Sequence, residues 1–173
     1  MIKPKAIKEP YPTIENMKDD KHSATVLSPE CLGKNGELNA LLFCIYAEIY
    51  CEKLGDNNSS EIFEKIAIDE LQHLKLLGKA TLSLGENSNF VLNLTHKFSN
   101  DSSQTITLSN CPKKILTDAI TAKLMAINFY EKLLTDLKNN QVYELIESIL
   151  IDEREHLKIL SDRLESCGVR IFC

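Results

Sequence analysis

The segment IAIDELQHLKLLG at 66–78 recurs as ILIDEREHLKILS at 149–161, an offset of 83 residues. Matching apolar positions, such as Leu74 with Leu157, are expected of any two amphipathic helices. The shared I-D-E-x-x-H-L-K is more specific, because it repeats a carboxylate and an imidazole three residues apart. On a helix, residues three apart lie on one face, so Glu70 with His73 and Glu153 with His156 can each grip one ion. The face matters most. The first copy lies in a stripe that steps through 63, 66, 70, 73, 77, 80 and 84. The second lies in one that steps through 142, 145/146, 149, 153, 156, 160 and 164. Both Glu–His pairs therefore fall on the apolar side, where a carboxylate costs several kcal/mol unless it is paired or metal-bound.

Four long helices account for most of the chain. Leu38, Leu41, Leu42, Ile45 and Ile49 repeat at helical spacing from Glu37 until near Gly55. A second helix is expected over 59–84. A third runs from Pro112, which suits a first turn, to about Lys138, and a fourth over 140–166. The connection at 85–111 is polar and rich in Ser and Asn. Loops of that length inside a domain usually have a task. A helix of 26 residues is about 39 Å long at 1.5 Å per residue, so a crossover along the whole bundle would be that task. Short loop, long crossover, short loop predicts an all-α four-helix bundle over 36–168. An extended, proline-containing arm over 1–35 precedes it and a short tail over 169–173 follows.

Composition narrows the partners. With 20 Lys+Arg against 25 Asp+Glu the formal net charge is −5, and there is no Trp. No basic cluster or stacking surface suggests a nucleic-acid partner. The longest apolar runs fall far short of the roughly 18 residues of a membrane span, so no membrane role is expected. None of the six cysteines forms a C-x-x-C pair, and the first residues show no apolar secretory core. These features predict a cytoplasmic, reduced protein in which Cys44 and Cys51 act as small core residues.

GELNALL…IDELQHLKLLG and AINFYEKLL…IDEREHLKIL resemble the ferritin-like superfamily of rubrerythrins and bacterioferritins. The nearest group is the small clostridial ferritin-like proteins related to spore-coat and manganese-catalase-like proteins. The resemblance includes the leading Pro10-Tyr11-Pro12 and covers nearly the whole chain. It implies a ferritin-like bundle with an Fe or Mn carboxylate site of one or two ions. Glu37 and His73 would hold one ion, Glu70 and Glu153 would bridge, and His156 would belong to the second. It further implies oxidase, peroxidase or catalase-like chemistry on O2 or peroxide, an external electron donor, and a homo-oligomer of two or more chains. The alternatives it implies are a catalytically degenerate structural or assembly protein of spore-coat type, and iron storage.

One position departs from the family pattern. The third helix should offer a glutamate where this chain has Lys123, on the inward stripe 116, 120, 123, 127, 130, 134. A protonated lysine cannot ligate a metal and repels a nearby cation. Three outcomes follow: one ion held by Glu37, Glu70, His73 and Glu153; two held weakly; or a metal-free Lys–Glu–His network.

Overall fold

In a computed structural model of the chain, the described residues are 11–14, 19–32, 36–85, 109 and 111–167. They form five helices: α1 (Lys21–Leu32), α2 (Glu37–Lys53), α3 (Asn57–Ser83), α4 (Pro112–Asp136) and α5 (Asn140–Ser166). The four long helices coincide with those expected, within two residues at most ends.

Local chemistry sets the helix ends. Asp56 caps α3 by accepting a hydrogen bond from Ser59 N at 3.2 Å. Asn139 caps α5 by accepting from Gln141 N and Val142 N at 3.1 and 3.2 Å. Between α2 and α3 the chain reverses at Gly55, whose φ of +78° favours a residue without Cβ. There Gly55 N donates to Glu52 O and Asp56 N to Cys51 O.

Side-chain pairs give the helix directions. His73 faces Asp152 and His156 faces Asp69, so advancing four residues along α3 means retreating four along α5. These two helices are antiparallel, as are α2 with α3 and α4 with α5 across their short turns. It follows that α3 and α4 are parallel. The end of α3 and the start of α4 thus sit at opposite ends of the bundle, and the connection is a crossover. Its path, and the polar 86–108 segment, lie outside the described residues.

The apolar core is split in two. One cluster, at the end where α3 finishes, contains Leu27, Leu77, Leu84, Tyr130, Leu145 and Ile149. The other contains Cys51, Phe63, Ile66, Ile115, Leu116 and Leu160. A layer of buried charged and polar side chains separates them: Glu70, His73, Lys123, Glu153 and His156.

Three expectations need correction. The arm was expected to be extended, yet Lys21–Leu32 is helical. Asp20 starts this helix by accepting from Ser23 N at 3.1 Å and Ser23 Oγ at 2.6 Å. Ala24 and Leu27 then bury themselves against the bundle, which stabilises a helix too short to stand alone. The aliphatic repeat of α2 meets the core only in part, through Leu41. Glu37, Cys44, Ala47 and Cys51 point inward, and Leu42, Ile45, Tyr46 and Ile49 are exposed. Small residues take the fully buried positions of α2, while Leu41, Phe43 and Tyr50 pack partly buried against the second cluster. Finally, Cys44, Cys51 and Cys167 are free and buried, but Cys111 is disulfide-bonded, so the cysteines are not all reduced. Burial raises the Cys44 thiol far above its ordinary range and the Cys51 thiol to about 12, which makes both unreactive packing residues.

Candidate metal centre

The repeated motif delivers its side chains because its spacing matches the buried stripe of each helix. Glu70 and His73 are 0% exposed, Glu153 1% and His156 3%. Glu37, in the first turn of α2, is 4% exposed, and Lys123, midway along α4, is 5% exposed. All five candidate ligands and the departing lysine are thus inside one bundle layer.

Four of the five converge. Ligand atoms of Glu37, Glu70, His73 and Glu153 lie within 4.8 Å of one another. His73 Nδ1 is 3.8 Å from Glu37 Oε2, 3.9 Å from Glu70 Oε2 and 3.6 Å from Glu153 Oε1. Donors around a first-row ion with bonds of about 2.0–2.2 Å sit at similar mutual separations. His156 stands on the far side of the two central glutamates, with Nδ1 3.4 Å from Glu70 Oε1 and 3.5 Å from Glu153 Oε1. That side belongs to Lys123, whose ammonium donates to Glu70 Oε1 and reaches Glu153 Oε1 and Oε2 at 3.1 and 2.9 Å. The Lys123 ammonium is thus a fixed cation on the His156 side of the two central glutamates.

The residues present fit an ion on the Glu37 side. His73 Nδ1 and Glu70 Oε2 are fully buried and have no hydrogen-bond partner. Buried polar atoms are normally paired, so two orphans aimed at the same point indicate a missing partner. The opposite ring nitrogen, His73 Nε2, lies 3.1 Å from Asp152 Oδ2. A proton held there leaves the Nδ1 lone pair facing the carboxylates, the arrangement common to histidine ligands. His156 repeats this with Asp69 Oδ2 at 3.1 Å, and its Nδ1 is likewise an orphan. Tyr130 donates its hydroxyl to Glu37 Oε1.

Electrostatics without an ion reflect that crowding. Burial, reinforced by Glu70, pushes the Glu37 carboxyl up to about 8. Burial acts the same way on Glu70, but the Lys123 ammonium outweighs it and holds that carboxyl well below the usual range. For the histidines burial disfavours the charged ring, yet neighbouring carboxylates win. Asp152 and Glu37 bring His73 up to about 9, and Asp69 and Glu153 bring His156 up to about 10. Lys123 is also raised, since Glu70 and Glu153 overcome its burial.

The other polar residues considered do not join the cluster. Glu131 is exposed and paired with Arg154 at 2.7 Å. Glu48 is half-buried, His22 is exposed, and His96 lies outside the described residues. Sequence reasoning passed over Asp69, Asp152, Tyr130 and Tyr11. The two aspartates were visible as the repeated residue before each glutamate, and Tyr130 as a member of the inward stripe.

No protein-family model matches the chain, and no curated protein matches it. Among solved structures, wild-type KatB, a manganese catalase from Anabaena, aligns with a TM-score of 0.76. The alignment covers 100% of this chain and 84% of that one, at 20% identity. The fold is ferritin-like. At 20% identity the likeness concerns the fold alone. No helix among the described residues is long and apolar enough to cross a membrane.

Proposed function

We propose that this ferritin-like chain binds one Mn or Fe ion through Glu37, Glu70, His73 and Glu153, and is a rubrerythrin-like oxidoreductase acting on O2 or peroxide. The observation that carries the reading is the orphaned His73 Nδ1 surrounded by three buried carboxylates. Charge balance supports a single ion. The Lys123 ammonium already offsets charge on Glu70 and Glu153, so a second divalent cation beside those two glutamates would meet a fixed positive charge inside the bundle. Carboxylate and imidazole donors suit Mn and Fe, and likeness to a manganese catalase favours Mn.

A bound ion would supply cycling between adjacent oxidation states. The chain's own residues supply the rest. Asp152 fixes the His73 tautomer, and Tyr130 orients Glu37. Lys123 holds Glu70 ionised and ties it to Glu153. Glu37 and His73 release protons as the ion enters.

The decisive experiment is metal content per chain after growth with iron or manganese, measured alongside peroxide consumption. One ion per chain is expected. Lys123→Glu should take two, since the change replaces a fixed cation beside Glu70 and Glu153 with a further carboxylate. A parent chain that takes no metal would overturn the reading. A second, structural reading rests on one observation: Lys123 already pairs with both central glutamates, so the layer is partly neutralised without metal. Absence of metal, together with a Glu37→Ala variant as stable as the parent, would favour it.

We also infer that two copies associate through α2. Leu42, Ile45, Tyr46 and Ile49 form a continuous exposed apolar stripe over two turns, and a second copy would cover it with the same stripe.

A further inference from the structure

We propose that Tyr11 is a positioning residue, through which the N-terminal strap makes the His73 half of the repeated motif the metal-holding half. The inference rests on the one-ion reading above and asks what distinguishes two nearly identical halves.

Both halves build the same contact. His73 Nε2 meets Asp152 and His156 Nε2 meets Asp69, each at 3.1 Å. They differ in how far the aspartate is exposed. The Asp152 side chain is 4% exposed and that of Asp69 is 38% exposed. Tyr11 donates its hydroxyl to Asp152 Oδ2 at 2.5 Å, the same oxygen that faces His73. The Tyr11 ring also stands edge-on to the His73 ring, with centroids 6.0 Å apart and planes at 88°. Phenol, carboxylate and imidazole thus form one hydrogen-bonded chain that runs from the half-buried Tyr11 to the orphaned Nδ1.

The strap is held in place independently of the site. Tyr11 and Ile14 pack against the core cluster. Further on, Asp20 N donates to Leu84 O at 3.1 Å, tying the strap to the end of α3. Gly85 (φ +88°) lies beneath it, where a Cβ would come within 3.4 Å of the Asp19 carboxylate. A buried carboxylate held by the half-buried Tyr11 phenol is restrained from swinging toward water, which favours the Nε2 proton of His73 and its ring orientation before any ion arrives. Such preorganisation raises affinity, and removing an outer partner of a ligating histidine typically costs 10–100-fold in metal affinity. Asp69 opens to solvent, so His156 lacks an equally sealed outer partner.

Coupling of this kind is reciprocal: if the strap tightens the ion, the ion tightens the strap by the same factor. The test uses the full chain, stripped of metal and titrated with Mn(II). Free Mn(II) is followed by electron paramagnetic resonance, and hydrogen exchange is followed over the amides of residues 11–20. Tyr11→Phe keeps the ring packing and loses only the hydroxyl. It should bind Mn(II) roughly tenfold more weakly, and Mn(II) should protect residues 11–20 in the parent but much less in the variant. A variant that binds Mn(II) as tightly as the parent would overturn the role of Tyr11 alone. A parent that binds no Mn(II) would overturn the one-ion reading, and this inference with it.

Discussion

Lys123 shows how much one side chain can decide. It is an ammonium on the inward face of α4, against Glu70 and Glu153, so its charge is part of the structure and not an ornament of the surface. Replacing it with methionine keeps similar bulk and removes the counter-charge. The metal-free Lys123→Met variant should lose about 3–5 kcal/mol in denaturant unfolding, the usual cost of leaving buried charge unpaired. Saturating Mn(II) should recover part of that loss, because the ion then meets carboxylates no longer engaged by the lysine. Phasing made the inward direction of Lys123 and of the five candidate ligands legible in the sequence. It could not show that His156 stands with the lysine, apart from the four-residue cluster. Separation across a bundle layer depends on packing, which a stripe of residue numbers does not contain. Tyr11 was less legible still, because it acts across 141 residues of chain through a single hydroxyl.

Among the elements, the long helices could be read directly because period and punctuation agreed: the apolar stripes, Pro112 at a first turn, and Gly55 and Gly85 after helix ends. The two failures have a common physical origin. α1 forms because tertiary burial of Ala24 and Leu27 rewards it, and α2 turns its small residues inward because the space beside α3 is narrow. Neither cause is local in sequence. The exposed α2 stripe carries a prediction: Ile45→Lys with Ile49→Lys should convert an associated species to a monomer in sedimentation, with helix content unchanged. A second concerns the far end of the bundle, where the cap of α3 is also a tie to α5. Arg163 Nη2 bonds Asp56 Oδ1 at 2.6 Å and Nε bonds Ser59 Oγ at 2.9 Å. Asp56→Ala should destabilise the chain by about 2 kcal/mol, at the upper end for a lost cap, because Arg163 is stranded as well. Burial opposes ionisation of Asp56, but Ser59 and Arg163 prevail and its carboxyl is lowered from 3.8. Its contribution is therefore present above about pH 4 and fades as pH falls below that value.

For the molecule as a whole, the polar layer couples folding to protons and to metal together. Without an ion, the folded chain holds protons that the unfolded chain would release. His73 and His156 are raised from 6.5 to about 9 and about 10, and Glu37 from 4.5 to about 8. All three shifts have the same sign. The histidine contributions are complete below pH 6.5 and disappear as pH climbs through the folded values. Glu37 resists ionisation progressively between 4.5 and 8. Glu70 and Asp56 are lowered and so are ionised in both states throughout this range, while Lys123 is raised and stays charged in both; none of them opposes the trend. The thermal midpoint of the metal-free chain should therefore fall steadily from pH 6 to pH 9.5. Mn(II) changes the slope, because an ion bound to Glu37 and His73 takes the place of their protons and competes with them less as pH rises. Midpoints in saturating Mn(II) should therefore fall less steeply above pH 7, with the His156 contribution still lost as pH rises, and should converge on the metal-free curve below about pH 5. Parallel curves with and without Mn(II) over the whole range would mean that the ion binds somewhere other than this layer.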